Sequence, residues 1–319
     1  MVYFDFTFAI ITYNQEKYIY EHLESIKYQI EKYGKGMSIQ LVLSDDCSTD
    51  RTFEFAEFWI SLNRELFRDI KLNRNKNNKG IVVNYLHALE KVDSVNYKML
   101  AGDDLYFKNN IFKVLTKNDF VVSRPIKLMD NSFFIPSLFP KHEISNVKKA
   151  KKQLKQNNIF SAPGIFIKSS ITQEDSLIGF LRDFKWIEDY PTWYFLFVIN
   201  KPNFKYFYDL DHYVIYRADV GVYGRRIKTA IHTAFEKERS RFYSDYRIIK
   251  KTDDKTWKKY FVPSNYWYFL MKIVIKLSNK VSKKDKMKIK EVEAFYREIL
   301  KKSRYYYNVY VKEVKNEFR

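Results

Sequence analysis

The chain has 319 residues, 46% hydrophobic and 18% aromatic, which supports one large domain, or a domain with an appendage, and excludes wholesale disorder. A net charge of +19 implies an anionic partner, and nucleic acid, an anionic membrane surface and phosphate-bearing substrates all qualify. The single cysteine, Cys47, excludes an internal disulfide framework and a multi-cysteine zinc site, which suits a reducing, cytoplasmic setting.

Met1-Val2-Tyr3-Phe4-Asp5 lacks the basic flank of a signal peptide. Phe4 to Thr12 is apolar and β-rich, and Ile19, Leu23, Ile26 and Ile30 follow at helical spacing. The alternation continues with a strand over Ile39 to Ser44, a helix capped by Asp50 and running to Phe67, a strand over Asp69 to Leu72, a helix over Gly80 to Lys91 and a strand over Tyr97 to Ala101. Alternating β and α at these lengths predicts a mostly parallel sheet with helices on both faces. Beyond residue 120 the pattern is less regular: strands at Phe120 to Ser123, Gly164 to Lys168, Phe204 to Tyr208 and His212 to Arg217, with a helix from Glu188 to Ile199. From Arg225 onward the chain reads as basic, aromatic and helical with a break near Pro263, so the expected division is 1–222 and 223–319. Trp193 to Ile199 and Trp267 to Leu277 are too short or too lysine-broken for a membrane span of roughly 20 apolar residues.

Ligands in open α/β sheets sit beyond the carboxyl ends of the strands. The first, second and fourth strands end in Thr12-Tyr13-Asn14, Ser44-Asp45-Asp46-Cys47-Ser48-Thr49-Asp50 and Gly102-Asp103-Asp104, so three polar clusters meet at one edge. Turn and cap chemistry accounts for Asp50 and Ser48, but not for adjacent carboxylates at a strand's end; one of them can accept the imide proton of a uracil or thymine. The pair Asp103-Asp104 needs a cation or donors nearby, and two carboxylates with phosphate oxygens suit Mg²⁺ or Mn²⁺. Lys79-Gly80 opens a predicted helix, where amides and a lysine can meet phosphate or base, or where the helix simply begins. Glu188-Asp189 opens another, and acids there also serve a plain helix N-terminus. The histidines have no metal-ligand spacing, and no Gly-x-Gly-x-x-Gly or Walker-type loop is present.

Together, Ile10-Ile11-Thr12-Tyr13-Asn14, Leu41 to Asp50, Asn78-Lys79-Gly80, Leu100-Ala101-Gly102-Asp103-Asp104 and Ile187-Glu188-Asp189-Tyr190-Pro191 resemble the family 2 glycosyltransferases of the GT-A fold, over roughly residues 4 to 220. The resemblance implies an inverting transferase moving a sugar from a nucleoside diphosphate, a UDP-sugar first, to a glycan or lipid-linked acceptor in cell-surface polysaccharide synthesis. It implies a nucleotide pocket lined by Thr12, Tyr13 and Asn14, with Asp46 accepting from the pyrimidine, Asp103 on ribose or metal, Asp104 on the metal and Asp189 as general base. The sequence departs from the family in having Ala101 where many members carry an acid, and Asp219 where many carry a histidine after the pair Tyr216-Arg217.

One C-terminal segment admits two readings. Asn265 to Leu277 reads as a helix packed on the catalytic domain or lying on anionic lipid, with Lys283 to Lys290 and Lys301 to Arg304 extending a basic face. A nucleic-acid-binding module is the alternative from another class, but the acidic pairs stand where a phosphate groove wants arginine. A metal-dependent nucleotidyltransferase is the nearer enzymatic alternative.

Overall fold

The computed structural model describes residues 4–135, 144–200, 202–220, 230–248 and 283–317. Strands β1 (Phe6–Thr12), β2 (Ile39–Asp45), β3 (Asp69–Arg74) and β4 (Asn96–Ala101) alternate with helices α1 (Ile19–Tyr33), α2 (Thr52–Leu62) and α3 (Ile81–Glu90). There follow β5 (Leu105–Tyr106), β6 (Phe120–Val122), β7 (Ile126–Met129), β8 (Ser132–Phe134), α4 (Val147–Leu154), β9 (Ile165–Lys168), α5 (Ser169–Thr172), α6 (Asp175–Leu181) and α7 (Asp189–Tyr194). The described elements end with β10 (Tyr206–Tyr208), β11 (Val214–Arg217), α8 (Ala230–Asp245) and α9 (Lys283–Glu317).

A seven-stranded sheet has the order β10-β6-β9-β4-β1-β2-β3, in which β4, β1, β2 and β3 run parallel and β9 opposes both its neighbours. Central β1 is buried on both faces. Phe6, Phe8 and Ile10 pack toward Leu23, Ile26 and Trp59, whereas Ala9 joins Val82, Tyr85 and Ala88 of α3 in the other cluster. The spaced apolar residues of α1 are all buried, as the periodicity requires.

Two helices depart from their expected lengths. α2 stops at Leu62 instead of Phe67 because Asn63 donates its side-chain amide to the Trp59 carbonyl, and only a single 3₁₀ turn, Arg64–Leu66, follows. The N-cap position of α2 is Arg51 rather than Asp50, which lies one residue earlier and accepts from the Thr52 amide at 2.9 Å. α7 changes to a π turn over Phe195–Ile199.

A second sheet of order β5-β11-β7-β8 lies outside the periodicity argument. Its β7–β8 hairpin turns on Asp130 and Asn131, both at positive φ, the short-turn chemistry that Asp and Asn tolerate. Val292, Phe295 and Ile299 of α9 cluster with Leu105, Ile126 and Ile215 of this sheet, while Tyr306 and Tyr310 join Tyr20, Phe55 and Trp59. α8 contributes Phe235 and Phe242 to the cluster holding Phe184 and Tyr190. Asn265 to Leu277 lies outside the described residues; among those described, no helix is long and apolar enough to cross a membrane.

Ile299 is fully buried against the second sheet, so Ile299→Ala should cost about 2–5 kcal/mol. Urea unfolding followed by tryptophan fluorescence should show one transition at lower midpoint; an unchanged midpoint would mean that α9 does not support the sheets.

Candidate active site

The register of the parallel strands builds the site. Thr12 pairs with Asp45 and Ile11 with Ala101, so the carboxyl ends of β2, β1 and β4 lie side by side. The loops are tied there by backbone bonds: Asp46 N–H donates to the Thr12 carbonyl at 2.9 Å and Gly102 N–H to the Ile11 carbonyl at 3.1 Å. Gly102 is required by close approach, because a Cβ there would lie 2.8 Å from both Thr12 Cγ2 and Gln15 Oε1.

The adjacent acids at the end of β2 divide their labour. Asp45 is fully buried and inward-facing, accepting from Thr12 Oγ1 at 2.9 Å and the Ser48 amide at 2.8 Å, which closes the turn. Asp46 faces a cavity of about 810 Å³ and accepts from Asn75 Nδ2 and the Lys79 amide on Oδ1 and from the Gly80 amide on Oδ2, at 2.8 to 2.9 Å. Gly80 makes this possible: its φ is +98°, and a Cβ would stand 2.7 Å from the Lys185 carbonyl.

Thr12, Tyr13, Asp46, Asp103, Asp104, Glu188 and Asp189 all line that cavity. Asn14 and Lys79 do not appear on its wall. Asn14, at positive φ, uses Oδ1 to accept from the Thr49 amide at 2.8 Å, and Lys79 contributes its backbone amide to Asp46. Asp219 also stays off the wall and accepts from the Asp130 amide at 2.9 Å, at the β7–β8 turn.

Asp104 is buried, and its Oδ1 accepts from the Arg217 amide at 2.9 Å. Burial, with the neighbouring charge of Asp103 adding to it, pushes its carboxyl well above the ordinary value. A divalent cation between two such carboxylates would relieve that repulsion. Among the described residues no group of three or more His, Cys, Asp or Glu could hold a metal, so Asp103 and Asp104 by themselves do not make a full protein cage. His22 supports the turn from below, donating Nδ1–H to the Asp104 carbonyl at 2.7 Å, and burial lowers its pKa to about 4, which keeps it neutral.

Across the cavity, Asp189 begins α7. Its Oδ2 accepts from Asn158 Nδ2 at 2.8 Å and its Oδ1 from the Tyr190 amide at 2.6 Å. Burial raises the pKa of Asp189 against these donors, and burial followed by the charge of Asp189 pushes Glu188 up to about 8. The charge of Asp189 thus disfavours ionisation of the neighbouring Glu188.

Several lining residues escape sequence reasoning. Lys98 sits mid-strand in β4, donates Nζ–H to the Ile165 carbonyl at 2.8 Å, and is lowered to about 7 by burial despite the opposing charge of Asp104. A lysine among Tyr97, Met99 and Leu100 in a strand read as buried was the available signal. Asn158, Trp186, Arg239 and Tyr243 also line the wall near Asp189, and no motif marks them.

The family model described as glycosyl transferase family 2 matches residues 7–172. No curated protein sequence matches the chain. Among solved structures, TarS 1-349 of S. aureus in complex with UDP aligns with 75% of this chain and 72% of its own at 17% identity and a TM-score of 0.51. TarS 1-349 in complex with UDP-GlcNAc aligns with 77% of this chain and 67% of its own at 16% identity and a TM-score of 0.53. These likenesses show the fold, the GT-A arrangement of a mostly parallel sheet flanked by helices.

Because the pKa of Glu188 is raised in the folded chain, its contribution to stability is complete below its unfolded value of about 4.3 and is lost as pH rises through the folded value of about 8. Glu188→Gln escapes that loss. The melting-temperature difference between variant and wild type should shift in the variant's favour from pH 5 to pH 9; a difference independent of pH would show that Glu188 ionises freely.

Proposed function

The chain belongs to glycosyl transferase family 2, and on that premise we propose that it is an inverting, metal-assisted transferase acting on a UDP-sugar. One observation carries the reading: Thr12, Tyr13, Asp46, Asp103, Asp104 and Asp189, drawn from four separate stretches of sequence, share the wall of one cavity. Its volume of about 810 Å³ suits a nucleotide-sugar with room for part of an acceptor.

In this reading the uracil stacks on Tyr13 and meets Asp46, whose carboxylate is already oriented by the amides of Lys79 and Gly80. Asn14 and Lys79 act through the shape of the pocket rather than by lining it. TarS, bound to UDP and UDP-GlcNAc in its solved structures, supports a uridine donor. Asp103 reaches the ribose or the metal, and Asp104 the metal. When bound, Mg²⁺ or Mn²⁺ would neutralise the charge that develops on the leaving diphosphate. Asp189 takes the proton of the acceptor hydroxyl as that oxygen bonds the anomeric carbon and the bond to the diphosphate breaks; one base and one displacement give inversion. Its raised pKa makes it a better proton acceptor than an exposed aspartate.

The acceptor side is assigned to the wall near Asp189, where α8 presents Arg239 and Tyr243 beside Trp186. The catalytic domain is taken as 1–222 and the C-terminal region as 223–319, of which the described helices α8 and α9 buttress the sheets. The acceptor is a glycan or lipid-linked carrier, met in the cytoplasm with peripheral contact at an anionic membrane, toward which the exposed Arg297, Lys301 and Arg304 of α9 would face. A nucleotidyltransferase would instead release pyrophosphate from a nucleoside triphosphate.

A thermal-shift series with UDP and Mn²⁺ tests the donor site, since a ligand that binds only the folded chain raises its melting point. Metal-dependent stabilisation by UDP is expected, and Asp46→Ala and Asp104→Ala should each weaken it. Asp189→Asn should lower transfer by about 100-fold or more with the stabilisation intact; loss of both together would remove Asp189 from the role of base. Tyr243→Ala should raise the acceptor KM and leave the donor KM unchanged, and the reverse pattern would move the acceptor to another wall.

A further inference from the structure

Arg217 is a guanidinium only 5% exposed, lying behind the acidic turn rather than in the cavity. Its Nε donates to the Asp103 carbonyl at 2.6 Å, and its own backbone amide holds Asp104. Its remaining groups reach away from the site: Nη2 pairs with the buried carboxylate of Glu21 on α1, and Nη1 donates to the Tyr296 hydroxyl on α9 at 3.0 Å. Arg217 thus links the Glu21 carboxylate on α1 to the Tyr296 hydroxyl on α9. Two aromatic faces cover the guanidinium, Tyr18 at 4.6 Å and Tyr296 at 5.5 Å from ring centre.

A buried guanidinium is held in one place only when its donors are satisfied together, and its planar fork transmits that placement to every acceptor it touches. Here the acceptors on one side belong to Asp103, and those on the other to α1 and α9. Tyr307 extends the same contact by donating to the Glu16 carbonyl at 2.5 Å, in the loop that follows Thr12-Tyr13-Asn14. The long C-terminal helix thus reaches the supports of two strand-end loops without lining the cavity near the acids.

We infer that Tyr296 is a positioning residue for sugar transfer, locking Arg217 with Glu21 so that Asp103 and Asp104 are presented to the donor diphosphate in a fixed geometry. The inference rests on the reading of those two acids as the diphosphate and metal end of the site. Tyr296→Phe keeps the ring over Arg217 and removes only the hydroxyl.

The test follows the melting temperature of the full chain at saturating UDP while Mn²⁺ is titrated. Tyr296→Phe should raise the half-saturating Mn²⁺ concentration about fivefold, the scale of part of one charge-assisted hydrogen bond, with the ligand-free melting temperature near that of wild type. Tyr305→Phe, on the exposed side of the same helix, should change neither value. An unmoved midpoint in Tyr296→Phe overturns the inference. If Tyr296→Phe lowers the ligand-free melting temperature, Arg217→Lys, which keeps a cation for Glu21 but lacks Nε, decides by the same midpoint, and no shift there also overturns it. Asp104→Ala separates the two claims: a retained metal response removes the diphosphate reading and this inference with it, whereas a lost response beside a silent Tyr296→Phe removes this inference alone.

Discussion

The structure depends on the parallel register of β1 with β2 on one side and β4 on the other. Because Thr12 stands opposite Asp45 and Ile11 opposite Ala101, three loops leave the sheet at one level. No side chain has to reach far for acids distant in sequence to become neighbours. The placement of Asp46, Asp103 and Asp104 follows from that alignment, since a shift of one residue in either pair would turn a loop's acid from cavity to core.

Gathering acids in a cavity has an electrostatic cost, and the fold offsets it acid by acid. Asp45 is consumed in closing its turn, and Asp46 is neutralised in part by the amides of Lys79 and Gly80. Asp104 receives one amide from Arg217, with Lys98 exerting a favourable charge from within the sheet. Asp104, Glu188 and Asp189 nonetheless keep carboxyls that burial holds above the ordinary value. In the proposed mechanism a cation arrives beside Asp103 and Asp104 with the donor and Asp189 receives a proton from the acceptor, so the raised carboxyls mark where the two substrates act.

Much of this was legible in the sequence because two periodicities are strong in the first hundred residues. The strand-end acids stood out because carboxylates directly after apolar runs are rare without a purpose. What sequence patterning could not supply was orientation. Asp45 and Asp46 are identical in type and adjacent, and only the turn, with Cys47 at positive φ, sends one inward and one outward. Asn14 and Lys79 belong to the motifs but act through backbone and turn, which spacing cannot distinguish from lining. The second sheet was missed because β5, β7 and β8 are too short for an alternation to register. The role of α9 was hidden for a different reason: Tyr296 meets Arg217 across 79 residues of chain, and no local pattern encodes such a contact.

The most direct test of the central claim is an anomalous difference map from crystals grown with UDP and Mn²⁺. The account predicts a manganese peak within coordination distance of an Asp103 or Asp104 carboxylate oxygen and of the diphosphate, with the uracil against Tyr13 and hydrogen-bonded to Asp46. Manganese bound elsewhere, or UDP lying outside the cavity at the ends of β1, β2 and β4, would contradict it.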